Sequence, residues 1–186
     1  TASTTGGDGT TNGTEGATRA FASLYEALDA YEKNLVTADE VLVIKCEGSA
    51  ADTIPVAFAS DWGIQLFVTD ATHYIDIQGN DTTNGRHAGV WSTSKYRLST
   101  SAGEGSDHGA LYIADVALNL RVTGIQIETS FTATTNSQSG NVIRFYDASA
   151  GSSLLLDSLI IKHSGTLGAY TSGEWRGITY QPSEAS

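Results

Sequence analysis

Two segments of the chain share a pattern in which two short apolar strands are joined by a tight bend. In residues 118–127 the bend lies at 123–124, and residues 154–161 repeat the pattern with a bend at 157–158. In the first segment, alternate apolar side chains fall on one face of each strand: Leu118, Leu120, Val122, Ile125 and Ile127. Short paired strands joined in this way are typical of the successive faces of one coil of a β-helix.

Most of the chain after residue 40 consists of short segments that are rich in β-branched and aromatic residues and are separated by polar or glycine-containing turns. This composition predicts strands. The predicted strands are Val41–Cys46, Ile54–Phe58, Ile64–Val68, Tyr74–Gln78, Ala110–Ile113, Leu118–Val122, Ile125–Glu128, Val142–Tyr146 and Leu154–Lys162. Two architectures stay open, an antiparallel sandwich and a parallel solenoid, and the bent strand pairs favour the solenoid.

One amphipathic helix is predicted near the N-terminus. Ser23 and Glu26 form a capping box, which satisfies two backbone donors at a helix start. The apolar face of this helix consists of Leu24, Ala27, Leu28, Tyr31 and Leu35. The first coil of a solenoid would otherwise expose its apolar interior, so the helix is expected to cover that end. The sequence therefore predicts a mostly β fold, a short right-handed parallel β-helix (solenoid) with an N-terminal capping α-helix.

The domain organisation follows from a change in composition near residue 18. Residues 1–17 are rich in Gly, Thr and Ser and nearly devoid of apolar groups. Such a segment cannot bury enough surface to offset its ordering entropy, which predicts a flexible N-terminal arm. Residues 18–186 are long enough for a single β-helix domain. The chain contains no Met, so a processed protein and a fragment of a longer chain both stay open.

The charge balance excludes some classes of partner. Ten Lys and Arg residues stand against 21 Asp and Glu residues, for a net charge of −11. Such a surface repels phosphate backbones, so no nucleic-acid partner is expected. No apolar run approaches the roughly 20 residues of a membrane span, so no membrane partner is expected either. We interpret the charge as a source of solubility.

Three stretches of the chain carry a family resemblance. Residues 23–32 run into residues 37–44, and residues 68–77 and 85–98 follow. In these stretches the chain resembles the pectate-lyase-like right-handed parallel β-helix proteins found among bacteriophage virion and bacterial surface proteins. The resemblance covers residues 20–128 and implies a capping helix, a first strand and a loop that crosses to the next coil. Family members that cleave sugars carry clustered Asp residues and a basic residue on the solenoid face, and such clusters are not visible in this sequence.

Basic and aromatic residues between positions 86 and 96 allow two interpretations. A strip that contacts a glycan or a partner could be formed by Arg86 and His87, followed by Trp91, Lys95 and Tyr96. The competing interpretation is a structural loop, in which Trp91 and Tyr96 clamp the edge of a coil and Arg86 bonds carbonyl groups. We favour the structural loop because the resemblance implies a fixed crossover at this point.

Other residues that could take part in catalysis or binding give weaker signals. Asp107 and His108 lie in a glycine-flanked turn and are a further candidate glycan or partner contact, although turn chemistry explains them equally well. Asp70 and Asp76 flank a predicted strand, but glycoside hydrolysis needs a positioned pair of carboxyl groups. Cys46 ends an apolar run, which predicts a buried structural thiol. No metal is assigned, since the four histidines and the cysteine have no metal-ligand spacing, and no cofactor or catalytic residue is assigned.

These observations predict a non-enzymatic structural or decoration protein of a virion or surface assembly, of the bacteriophage kind that the resemblance implies. The rigid β-helix would attach through its N-terminal arm to other subunits on a virion or extracellular surface. A homo-oligomer is expected, because solenoid flanks and an uncapped C-terminal end leave edges to cover. The alternative is a carbohydrate-active depolymerase, acting as a polysaccharide lyase or glycoside hydrolase, or a glycan-binding module. A third alternative is a fragment whose active surface lies on further coils.

Overall fold

The computed structural model describes residues 20–53, 67–102, 110–114, 117–131, 140–148, 151–164 and 175–182. These ranges contain two short helices, α1 (Leu24–Ala30) and α2 (Leu35–Ala38). The strands are β1 (Leu42–Cys46), β2 (Ala51–Thr53), β3 (Ile75–Gly79), β4 (Arg97–Ala102), β5 (Leu111–Ala114), β6 (Asn119–Thr123), β7 (Gln126–Phe131), β8 (Gly140–Ala148), β9 (Ser153–Asp157), β10 (Ile160–Ser164) and β11 (Trp175–Pro182). Neither helix is long and apolar enough to span a bilayer.

The described strands form three parallel sheets. Sheet 1 has the order β1-β3-β6-β9, sheet 2 the order β2-β4-β7-β10, and sheet 3 the order β5-β8-β11. Every pairing between these strands is parallel. The chain therefore visits the sheets in turn, and we call its four passages coil 1 (β1–β2), coil 2 (β3–β5), coil 3 (β6–β8) and coil 4 (β9–β11). The mostly β prediction is confirmed, and the antiparallel sandwich that the sequence left open is not found among the described strands.

Successive coils place apolar side chains directly over one another. In sheet 1, Ile75 pairs with Leu120 and Ile77 pairs with Val122, and all four are at most 1% exposed. Because alternate residues of a strand point to opposite faces, this register turns one face of every strand inward. Sheets 2 and 3 contribute Leu98, Ile127, Leu111, Ile113, Ile143 and Phe145 to the same buried core.

The two predicted bends are confirmed at the corner between sheets 1 and 2. Gly124 separates β6 from β7 with φ of 67°, and Ser158 separates β9 from β10 with φ of 51°. Both values lie in the left-handed region, which glycine adopts readily and serine seldom does. The Gly124 N–H donates to the Asp157 carbonyl at 3.1 Å, so the bend of one coil bonds directly to the bend of the next.

The predicted helix is correct at its start and wrong at its end. Ser23 is the N-cap, and its hydroxyl accepts from the Glu26 N–H, as the capping box requires. The helix stops at Ala30 instead of continuing to Leu35, because the Leu35 N–H donates to the Val68 carbonyl at 2.9 Å. That long-range bridge takes the backbone out of the helix. The expected apolar face is nevertheless largely buried, at Leu24, Ala27, Leu28 and Leu35.

Most predicted strands are found with ends displaced by one or two residues, and Leu154–Lys162 is divided into β9 and β10 at its bend. Three strands were missed: β2, β4 and β11. In β4, whose sequence is RLSTSA, serine and threonine conceal the alternation that marks a strand. Predicted strand Ile54–Phe58, most of Ile64–Val68 and the predicted arm at 1–17 lie outside the described residues.

Truncation on the two faces of sheet 1 tests the inward register. Ile77→Ala is expected to lower the free energy of unfolding by about 2–5 kcal/mol, because it leaves a cavity in the stacked core. Val43→Ala is the matched control on the outer face of β1, where the side chain is 47% exposed, and should cost less than about 0.5 kcal/mol. Denaturant unfolding measures both changes, and equal losses would contradict the assignment of faces.

Candidate functional site

The segment that carries most sequence candidates forms a loop at the corner between sheets 1 and 2. It comprises residues 80–96, between β3 and β4, and we call it the corner loop. In coils 3 and 4 the same corner is turned by residues 124–125 and 158–159 alone. The corner loop is therefore an insertion at this position, and its contacts reach all the other coils.

The base of the corner loop is tied to coil 1. The Asn80 side-chain amide and the Thr82 hydroxyl both donate to one Glu47 carboxylate oxygen at 2.8 Å. The Asn84 carbonyl accepts from the backbone N–H groups of Gly48 and Tyr96, at 3.2 and 2.8 Å. A single carboxylate and a single carbonyl thus hold both ends of the loop against the first coil.

Arg86 lies against the bend of coil 3. Its backbone N–H donates to the Asn80 carbonyl at 2.8 Å. A Cβ atom added to Gly124 would lie 2.9 Å from Arg86 Cγ and 3.0 Å from Nε. The side chain therefore packs on the glycine backbone, and the close approach depends on the missing Cβ at Gly124. Among the described residues, the Arg86 side chain makes this packing contact and not the expected bonds to carbonyl groups.

His87 connects the corner loop to the bend of coil 4. Its Nε2 lies 2.6 Å from the Ser158 carbonyl, and its Nδ1 accepts from the Gly89 N–H at 3.1 Å. A ring nitrogen that accepts carries no proton, so Nε2 carries the proton and donates to Ser158. Both ring nitrogens of His87 are engaged: Nδ1 within the corner loop, and Nε2 in a bond that joins coil 2 to coil 4.

The distal part of the corner loop rests on sheet 2 through Gln126, which the sequence analysis did not single out. Its side chain is fully buried, and its Oε1 accepts from the Ser92 N–H at 2.6 Å. Its Nε2 donates to the carbonyls of Ser92 and Tyr96, at 2.8 and 3.2 Å. The amide thus gives the loop backbone the partners that a neighbouring strand would give. A polar residue between two inward apolar ones, in the run Ile125-Gln-Ile127, is the signal that could have identified it.

Trp91 is half-buried beside coil 4. The Lys162 ammonium lies 4.8 Å from the centre of the indole ring and donates to the Glu128 carboxylate at 2.9 Å. Burial raises the pKa of Glu128, but the bonds and positive charge around it, Lys162 foremost, hold that pKa below its usual range. Trp91, Lys162 and Glu128 form a charged and aromatic patch where the corner loop meets β7 and β10.

Tyr96 lies apart from that surface. It is 5% exposed, and its hydroxyl donates to the Asp52 carboxylate at 2.7 Å. The same carboxylate oxygen accepts from the Leu24 N–H at the start of α1, at 2.8 Å, and burial raises the pKa of Asp52. Cys46 is also buried, which raises its pKa to about 12, so the predicted structural thiol is confirmed. Tyr96 thus binds, inside the core, the Asp52 carboxylate that joins the helix to sheet 2.

Two further groups of polar side chains lie near sheet 1. His73 stands between Asp70 and Asp39, with Nδ1 to Asp70 at 2.8 Å and Nε2 to Asp39 at 2.9 Å. A ring that donates to two carboxylates is an imidazolium, and its bonds to Asp39 and Asp70 raise the pKa of His73. The bond to His73 and the neighbouring backbone N–H groups lower the pKa of Asp70. Asp76 instead accepts from the Gln78 amide at 2.7 Å, so Asp70 and Asp76 have different partners.

The remaining sequence candidates and the comparisons add little to this site. Asp107 and His108 lie outside the described residues. Within the described ranges, no group of three or more His, Cys, Asp or Glu side chains is placed to hold a metal ion.

No protein-family model, curated protein or solved structure matches the chain.

Two glycines with positive φ separate the effect of Arg86 from that of backbone strain. Gly89→Ala, at φ of 85° with nothing near its Cβ position, should cost about 1 kcal/mol, the usual penalty of a left-handed alanine. Gly124→Ala should cost at least about 1 kcal/mol more, because its Cβ also collides with Arg86. Denaturant unfolding measures both, and adding Arg86→Ala to Gly124→Ala should recover the excess. Equal costs at the two glycines would contradict the close packing.

The His73 cluster predicts a pH dependence of stability. The pKa of His73 in the folded protein lies above 6.5, the ordinary value for a histidine. The stabilisation that charged His73 gains from Asp39 and Asp70 is therefore fully present below pH 6.5 and is lost as the pH rises through the folded pKa. NMR titration of the His73 ring should show the raised pKa, and Asp39→Asn should lower it. Asp81→Asn removes an exposed carboxylate of the corner loop and serves as control. An unchanged His73 pKa in Asp39→Asn would refute the pairing.

Proposed function

We propose that the chain is a right-handed parallel β-helix that serves as a non-enzymatic, rigid structural module of a virion or surface assembly, of the kind found in bacteriophages. The repeated order of sheet 1, sheet 2 and sheet 3 in coils 3 and 4 supports the solenoid. Connections between parallel strands of one sheet are right-handed in nearly all proteins, which supports the hand. The sequence resemblance over residues 20–128 supports the class of assembly.

The observation that carries the structural role is the set of contacts that the basic and aromatic side chains of the corner loop make with other coils. Arg86 packs on the bend of coil 3, His87 donates to the bend of coil 4, and Tyr96 reaches Asp52 in the core. Each of these three contacts joins coil 2 to another coil. A loop of coil 2 that is fixed to coils 1, 3 and 4 stiffens the stack, which suits a spacer or decoration.

A glycan-binding role is the second candidate, and one observation favours it. Trp91 is half-buried beside the Lys162 ammonium, and Arg86 is exposed on the same loop. Aromatic faces with neighbouring charged donors suit the apolar and hydroxyl groups of a sugar ring. In this alternative the corner loop both braces the coils and presents a polysaccharide site.

The decisive experiment labels particles. Antibodies raised against the purified chain should mark virions or cell-surface particles at regularly repeated positions in electron micrographs, because a structural module is present in many ordered copies. The control is the same serum after its specific antibodies have been removed by adsorption to the purified chain. Absence of repeated copies from every particle fraction of the source would overturn the proposed assembly role.

The second arm addresses the glycan alternative. Incubation with a panel of acidic and neutral polysaccharides should release no reducing ends and show no binding that Trp91→Ala weakens. Val90→Ala, an exposed neighbour on the corner loop, is the matched control. Cleavage that Asp107→Ala abolishes would replace the structural role with a depolymerase.

A further inference from the structure

An asparagine followed by a glycine lies at the base of the corner loop, at Asn84 and Gly85. In such a pair the backbone nitrogen of the glycine can attack the side-chain amide of the asparagine, because glycine has no Cβ that would hinder the approach. Asparagine is one of the thermolabile residues of proteins. In the folded chain Asn84 is half-buried and Gly85 is buried, so the surrounding structure decides whether the pair reacts.

The turn around Gly85 opposes the attack. The Gly85 N–H donates to the Thr82 carbonyl at 3.3 Å, and this N–H has to lose its proton before the nitrogen can form a new bond. A Cβ atom added to Gly85 would lie 2.0 Å from the Asn80 carbonyl oxygen, so the glycine backbone is packed directly against Asn80. A base from solvent therefore cannot reach the Gly85 N–H while the turn is closed.

The bonds that close this turn also hold the corner loop on coil 1. The Asn84 carbonyl accepts from the backbone N–H groups of Gly48 and Tyr96. The side chains of Asn80 and Thr82, on either side of the turn, donate to the Glu47 carboxylate. Local opening breaks neighbouring bonds as a unit, so the state in which Gly85 can react is the state in which the loop has left coil 1.

We propose that Asn84-Gly85 is a deamidation site that reacts only when the corner loop is detached from coil 1, and that the reaction makes the detachment permanent. Hydroxide takes the Gly85 N–H proton, and the nitrogen bonds to the Asn84 side-chain carbon. The side-chain nitrogen takes a proton from water and leaves as ammonia. Water then opens the succinimide at the new bond, which yields aspartate, or at the original peptide bond, which yields isoaspartate.

Isoaspartate changes the base of the loop in two ways. The main chain gains one methylene group beside Gly85, where the backbone already lies too close to Asn80 for a Cβ atom. The Asn84 carbonyl, which accepts from Gly48 and Tyr96, becomes a carboxylate on a side branch of the chain. The added negative charge also lies near the Glu47 carboxylate, since residue 47 precedes Gly48, and like charges repel. The closed turn therefore cannot re-form.

The first test follows deamidation of the full chain by mass spectrometry at mildly alkaline pH. Trypsin separates Asn84, in residues 46–86, from a second Asn-Gly pair in residues 1–19, which serves as an internal reference for the reaction conditions. Asn84 should react at least about tenfold more slowly in the folded chain than in the urea-denatured chain, because two hydrogen bonds to the Glu47 carboxylate keep the loop closed.

Variants at the base of the loop test whether detachment controls the reaction. Glu47→Ala removes the acceptor of both side-chain bonds and should raise the Asn84 rate in the folded chain by at least about tenfold. Thr82→Val removes one of the two bonds and should raise the rate less. Glu40→Ala is the matched control, since Glu40 is an exposed carboxylate paired with Lys33 outside the corner loop, and it should leave the rate unchanged. Circular dichroism shows that the variants are folded.

Hydrogen exchange tests whether the reaction is a permanent release. The N–H groups of Gly48 and Tyr96 should exchange slowly in fresh protein and rapidly in the isolated isoaspartyl form. Four results would each overturn the proposal: equal Asn84 rates in the folded and denatured chains, no reaction in the denatured chain, a rate that neither Glu47→Ala nor Thr82→Val raises, or slow exchange of both N–H groups in the isoaspartyl form. None of these results depends on the proposed assembly role.

Discussion

The structure depends on the register with which each coil is laid on the one before it. In a parallel ladder, a slip of one residue would turn every inward side chain of a strand to the solvent. The alternation in Ile75 and Ile77, repeated at Leu120 and Val122, makes such a slip costly, because two apolar residues per strand would leave the core. The bends at 124 and 158 then fall at the same height in successive coils, and so bond to one another.

That register also stacks polar groups inside, at a cost. Thr100 pairs with Thr129 in sheet 2; both are buried, and neither hydroxyl has a hydrogen-bond partner in the described ranges. A buried hydroxyl without a partner costs about 1–3 kcal/mol. Asp52 occupies the inward row of Leu98, where burial raises its pKa. The buried Asp52 carboxylate nevertheless contributes to the fold, because it accepts hydrogen bonds from both the first turn of α1 and the Tyr96 hydroxyl.

How much could be predicted from the sequence depends on the range of the interactions concerned. The bends and inward faces of β6 and β7 follow from period-two alternation and a glycine, which are local signals, and both were predicted. The end of α1 was not, because it is set by a bridge to Val68, more than 30 residues away. Tyr96 shows the same limit at the candidate site. Its basic and aromatic neighbours suggested either a surface contact or, as the favoured interpretation, a clamp over the edge of a coil, and only the pairing of β2 with β4 brings it to Asp52.

The corner loop changes how stability is distributed along the stack. In a simple solenoid each coil contacts only its neighbours, so the terminal coil frays independently of coils further in. Here His87, on a loop of coil 2, is bonded to Ser158 in coil 4, and Trp91 lies beside Lys162 in the same coil. These contacts pass over coil 3, so separating coil 4 also breaks bonds to coil 2. Ordering a loop of this length costs conformational entropy, and Gln126 and Glu47 offset part of that cost by satisfying the loop backbone and its base. Because the coils are joined beyond their nearest neighbours, we expect coils 2 to 4 to open together rather than one at a time.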